Sequence, residues 1–123
     1  RSLPALIKAS RIQDKAACSG FDWDETGQVL EKVKEELSEL KAEIAAEEQD
    51  KVEAEFGDVL FSLINFSRFI KVDPESALER TNKKFIQRFQ YLEKEAAKKG
   101  QSLKDMTLEQ MDVYWNKSKE LFR

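Results

Sequence analysis

The chain has no histidine and only one cysteine, Cys18, in 123 residues. Without histidine there is no imidazole acid–base catalysis, no usual zinc site and no Glu-x-x-His di-iron motif of the ferritin-like kind. A single cysteine allows no intrachain disulfide and mildly favours a reducing compartment such as the cytoplasm. With no histidine partner, Cys18 is not a thiol-protease nucleophile in any usual form. Glycine (four) and proline (two) are also scarce. No glycine-rich phosphate loop can be drawn, so any phosphate bound here must be held by side chains and metal. No apolar run is long enough to span a bilayer, and no signal-peptide pattern occurs. No segment sustains period-two alternation, so no sheet is expected. The first residue is Arg1 rather than Met, and the chain is expected to be a fragment or a processed form of a longer one.

What remains is helix. The length predicts one domain with room for a core. Charged residues make up 37% of the chain, yet the net charge is only −3, a mixture that fits a helical protein and gives no reason to expect nucleic acid or membrane as partner. About five helices are predicted. The first carries Leu3, Leu6, Ile7, Ser10 and Asp14, with Pro4 in its first turn and Gly20 as its stop. Phe21 and Trp23 follow in a short loop and are expected to pack. Asp24 is the expected cap of a helix over about 25–46. After a turn at 47–50 that neither glycine nor proline marks, a third helix runs to about Ile70. Asp73-Pro74 starts a fourth, with Leu78, Phe85, Phe89 and Leu92 on one side and a stop at Gly100. Thr107-Leu108-Glu109-Gln110 reads as a capping box opening a last helix with Met111, Trp115 and Leu121.

Two acidic clusters stand out: Glu35-Glu36-Leu37-Ser38-Glu39 and, after fifteen intervening residues, Glu55-Phe56-Gly57-Asp58. Glu36 and Glu39, and likewise Glu55 and Asp58, are three apart and share a helix face. At about 100° per residue, Val29, Val33, Leu37, Leu40 and Ile44 form one apolar arc, and Val52, Phe56, Val59, Leu60, Leu63 and Ile70 another. Glu36 and Glu55 lie at the edges of these arcs, with Glu39, Glu43 and Asp58 alongside, while Glu31 and Glu35 point further out. Four carboxylates therefore flank the seam of two successive helices. Like charges so placed repel unless a cation sits between them, and an all-oxygen donor set suits Mg²⁺, which leaves coordination positions for phosphate and water. The competing reading is a set of ordinary acids on a polar surface.

Charge is segregated along the chain. Residues 31–58 hold eleven acids and four bases; residues 80–104 hold eight bases and two acids. An acidic metal site with a basic helix is the pairing that polyphosphate chemistry requires. Lys84 and Arg88, four apart, can face one way; they either decorate a solvated face or bind phosphate, and the second reading is favoured because they neighbour Phe85 and Phe89, whose rings are expected to turn toward the core. Lys94, Lys98 and Lys99 are expected to decorate a solvated face, the last two near the negative end of the helix dipole.

These residues resemble a known family. The pattern EExxE, spacer, ExxD at Glu35–Glu39 and Glu55–Asp58 is similar to the signature of the all-α nucleoside triphosphate pyrophosphohydrolases, which include MazG, the dimeric dUTPases and phosphoribosyl-ATP pyrophosphatase. Gly20-Phe21-Asp22-Trp23, Asp58-Val59-Leu60-Phe61 and the run Asn82 to Phe89 resemble the C-terminal catalytic domain of MazG, and Trp115 and Lys119 fall where that domain has a tryptophan and a lysine. The resemblance covers about residues 3–121.

It implies hydrolysis of NTP to NMP and pyrophosphate with Mg²⁺ (Mn²⁺ as substitute), in house-cleaning or nucleotide-pool control. Carried over, Glu36, Glu39, Glu55 and Asp58 are metal ligands, and Glu35 supports a second metal or orients water. Lys84, Arg88 and Lys119 contact phosphates, and Trp115 borders the nucleotide. The implied fold is an α-helical bundle with a four-helix-bundle-like core, completed in a tight, intertwined homodimer. Two rivals stand beside this reading: a relative with a narrow substrate, of dUTPase or dCTPase type, and a non-catalytic helical regulatory module. The latter predicts missing ligands or missing basic partners, and none is missing.

Overall fold

The structure, a computed structural model, describes residues 4–123; Leu3 of the expected first apolar arc lies outside them. The described residues form five helices, α1 Ala5–Cys18, α2 Thr26–Ala45, α3 Gln49–Phe69, α4 Pro74–Lys98 and α5 Leu108–Leu121, with a 3₁₀ turn at Leu103–Asp105. No strand occurs among the described residues, so the chain is all-α as expected. It divides into two compact units, one ending at Glu75 and the other Ser76–Arg123.

In the first unit, α2 packs along α3, and α1 also packs on α3. The buried stripe of α2 is Val29, Val33 and Glu36; Leu37 and Ile44, expected in the core, are exposed. On α3 the buried residues are Val59, Ser62, Ile64 and Ser67, while Phe56, Leu60, Leu63 and Ile70 are exposed. The helical wheel located the apolar arcs, but the packed line runs along one edge of them. The outer half of each arc is left exposed by the described residues of the unit.

Helix ends follow from local chemistry. α2 is capped at Glu25 rather than Asp24, and Gln28 Oε1 accepts from the backbone N–H groups of both residues. The Thr107 box forms as expected: Thr107 Oγ1 accepts from Gln110 N–H, and Gln110 Oε1 accepts from Thr107 N–H. Three helices end in the same motif, in which two successive N–H groups reach back to the last turn. The bonds are Gly20 to Ala17 and Phe21 to Ala16, Lys71 to Arg68 and Val72 to Ser67, and Gly100 to Ala97 and Gln101 to Ala96. The motif needs a left-handed residue, and Gly20, Lys71 and Gly100 have φ of 90°, 59° and 69°. Lys71 is the one with a Cβ. The left-handed conformation costs a non-glycine residue roughly 1–2 kcal/mol. Glycine adds roughly 0.5–1 kcal/mol of unfolded-state entropy. Lys71→Gly should therefore stabilise the protein by about 0.5–1 kcal/mol in urea unfolding, and an unchanged or lower midpoint would contradict this account.

In the second unit the core is Leu92, Ala96, Met106 and Tyr114, with Tyr91, Leu103, Met111 and Trp115 packed against it. Leu78, Phe85 and Phe89 are exposed instead of buried. Phe85 lies over Phe89 with ring centroids 6.3 Å apart and tilts against Trp115 at 5.1 Å. The three rings form an aromatic strip beside the core.

Candidate metal and nucleotide site

Because the packed line of α2 runs through Glu36, this carboxylate is only 6% exposed. One turn earlier, Lys32 places its Nζ 2.9 Å from Glu36 Oε1. That bond, with the nearby Glu35 and Glu39, raises the lysine pKa. The other oxygen, Glu36 Oε2, is buried and has no hydrogen-bond partner; so is Glu55 Oε2 on α3. Carboxylate oxygens of Glu36, Glu39 and Glu55 all lie within 4.8 Å of one another. The Glu55 carboxyl is pushed above its usual range, first by burial and then by the charges of Glu39, Asp58 and Glu36.

Such an arrangement is costly in isolation. A buried charged oxygen without a partner forfeits its hydration, and three acids at this range repel. The donor set is all oxygen and all carboxylate, which fits a hard divalent cation of the Mg²⁺ kind. Asp58 is exposed, outside the tight triangle, but lines a cavity of about 270 Å³ with Glu36, Lys32, Val29, Trp23, Phe61, Ser62 and Asn65. Glu35 is exposed, and Lys32 Nζ is 3.8 Å from its Oε1.

The basic candidates lie in the second unit. Lys84 and Arg88 are half-buried, and Lys119, in the last turn of α5, is exposed. Arg88 Nε donates to the Phe122 carbonyl at 2.9 Å, which anchors the guanidinium and leaves its terminal nitrogens as donors. Trp115 is half-buried against Phe85. Lys98 pairs with Glu95 at 3.1 Å, and Lys99 sits over the Tyr114 ring at 5.2 Å. Both contact a neighbouring side chain near the helix end.

Two features escaped sequence reasoning. Lys32 has a signal, since it stands four residues before Glu36. The second has none. Arg68 on α3 donates from Nε to Asp14 of α1 at 3.1 Å, from Nη2 to Asp22 of the loop at 2.9 Å, and from Nη1 to Asn65 Oδ1. The bond to Arg68 is the main cause that holds the Asp22 carboxyl below its usual pKa. Arg68, Asp22 and Asn65 wall a second cavity of about 470 Å³, lined also by Ile12, Gln13, Ala16, Phe21, Trp23 and Phe61. Phe21 and Trp23 do not pack as expected: Phe21 is 84% exposed, and both stand at this cavity.

A family model described as the MazG nucleotide pyrophosphohydrolase domain matches residues 25–92. The nucleoside triphosphate pyrophosphohydrolase/pyrophosphatase MazG of Thermotoga maritima is 47% identical over 117 residues, 95% of this chain and 45% of that protein. The nucleoside triphosphate pyrophosphohydrolase of Escherichia coli K12 is 40% identical over 121 residues, 97% of this chain and 46% of the relative. The Bacillus subtilis protein YabN is 50% identical over 78 residues, 63% of this chain and 16% of its own length. The chain thus spans about half the length of the first two relatives.

Proposed function

The chain belongs to the MazG nucleotide pyrophosphohydrolase family, and we propose on that basis that it hydrolyses nucleoside triphosphates to the monophosphate and pyrophosphate at the Glu36–Glu39–Glu55 cluster. The observation that carries this reading is the pair of buried, partnerless oxygens, Glu36 Oε2 and Glu55 Oε2, in a triangle of carboxylates. Glu36, Glu39, Glu55 and Asp58 would hold Mg²⁺, with Mn²⁺ as a substitute. When bound, the cation neutralises charge on the phosphate oxygens and stabilises the pyrophosphate leaving group.

The chain's own residues do the rest. Lys32 holds Glu36 Oε1 in place at 2.9 Å. Glu35, exposed beside Lys32, orients water or supports a further metal. Lys84, Arg88 and Lys119 neutralise phosphate charge, Arg88 with a guanidinium already anchored at Phe122, and Trp115 borders the nucleotide. The exposed residues Leu37, Ile44, Phe56, Leu60 and Leu63 on α2 and α3 support a homodimer built on this face, since amphipathic helices in a single layer need a partner surface. No described helix is long and apolar enough to cross a membrane. The single cysteine, Cys18, favours a reducing compartment such as the cytoplasm.

Product analysis tests the choice of bond. A first turnover should release pyrophosphate and NMP together, with no NDP intermediate. Initial appearance of NDP and orthophosphate would move the attack away from the α-phosphorus and overturn the reading.

A further inference from the structure

The cavity behind the loop is continuous in its lining with the acidic cavity: Trp23, Phe61 and Asn65 belong to both. The acidic cavity carries Glu36 and Asp58. The other is lined mainly by apolar and aromatic groups, Ile12, Ala16, Phe21, Trp23 and Phe61. One end therefore suits metal and phosphate, and the adjoining end suits a flat heterocycle stacked among rings.

A plain hydrocarbon would not suit it, because polar groups line it too. Gln13 is 6% exposed, and its Nε2 donates to the Phe61 carbonyl at 2.9 Å, which fixes the amide's orientation. Its Oε1 is buried and has no partner. Asn65 has the complementary setting. Its Oδ1 accepts from Arg68 Nη1, so the Nδ2 donor is what Asn65 offers to the cavities. Arg68 imposes this orientation, and it can do so because it is itself fixed by Asp14 and Asp22. One planar fork thus ties together α1, α3 and the loop that carries Phe21 and Trp23, a geometry that a lysine ammonium does not reproduce.

We propose that this cavity seats the nucleobase of the substrate, that Asn65 Nδ2 donates to an acceptor on the base edge, and that Arg68 is the positioning residue that orients Asn65 and holds the Trp23 loop over the base. The inference rests on the nucleotide reading above. It assigns base contacts to residues 12–68, where α1, the loop and α3 meet.

Binding of nucleoside monophosphates tests it without any turnover. Tryptophan fluorescence would follow titration of the full chain with AMP, GMP, CMP and UMP, and with ribose 5-phosphate as the probe that lacks a base. Wild type should prefer at least one monophosphate over ribose 5-phosphate. Asn65→Leu should lose about tenfold in affinity for that nucleotide, as expected for one hydrogen bond in a desolvated site, and bind ribose 5-phosphate unchanged. Arg68→Lys should show the same base-dependent loss at temperatures below its unfolding transition. A merely structural arginine would instead weaken both probes together. Equal losses on both probes, no loss on either, or a wild type without preference for a base overturns the proposal. Failure of the hydrolase reading would appear elsewhere, as absence of pyrophosphate release from NTPs by the wild type.

Discussion

Glu39→Ala should abolish NTP hydrolysis and leave the fold intact. Glu39 is exposed, so truncation removes little packing. It does remove one of the charges that raise the Glu55 pKa, so the metal-free variant should melt at the wild-type temperature or slightly above it. Activity should respond oppositely. Loss of a preorganised charge-stabilising group typically costs 10²–10³-fold in turnover, about 2.7–4 kcal/mol. Removing one carboxylate from so small a donor set should reach at least that figure. A second readout separates ligand loss from damage to the site. A cation that binds only the folded state stabilises it by about 2.7 kcal/mol at 100 times its Kd. Wild type should therefore gain thermal stability on addition of Mg²⁺, and Glu39→Ala should gain far less. A variant with wild-type turnover at saturating Mg²⁺ would remove Glu39 from the site.

The acids were legible because their information is local. Three-residue spacing on a helix fixes a shared face whatever the helix packs against, which aligns Glu36 with Glu39; the packing of α2 along α3 then brings Glu55 to them and leaves Asp58 outside the triangle. The helix ends were legible for the same reason: Gly20, Gly100 and the Thr107 box are contained within a few residues. The packed line was misplaced. An apolar arc says which side of a helix avoids water, but not which part of the arc the same chain covers. The line runs through Val29, Val33 and Glu36, so Leu37 and Ile44 face outward. The Arg68 cluster was beyond reach, because its partners Asp14 and Asp22 are 54 and 46 residues away in sequence. The single free-standing clue was Phe21 and Trp23, two large aromatics in a short loop, and their packing was inferred where exposure at a cavity is found.

Arg88→Ala and Lys98→Ala should differ sharply, although both replace cations of α4. Lys98 is exposed near the helix end and is spoken for by Glu95 at 3.1 Å. An exposed pair of this kind contributes little, and its loss should leave kcat/KM within about twofold at moderate salt. Arg88 is half-buried, and its Nε is fixed on the Phe122 carbonyl, so its remaining donors are held in place before any phosphate arrives. A preorganised cation of that kind acts on the charge that develops in the transition state, and its removal should cost about 2–4 kcal/mol, or about 30- to 1,000-fold in kcat/KM. The anchoring bond makes Arg88→Lys informative as well: a lysine keeps the charge but does not reproduce the guanidinium fork, so most of the loss should persist. The comparison is made as kcat/KM at fixed Mg²⁺ and two ionic strengths. Equal losses for Arg88→Ala and Lys98→Ala that shrink together as salt rises would mean that a diffuse basic surface attracts the nucleotide, and Arg88 would then have no specific place in phosphate binding.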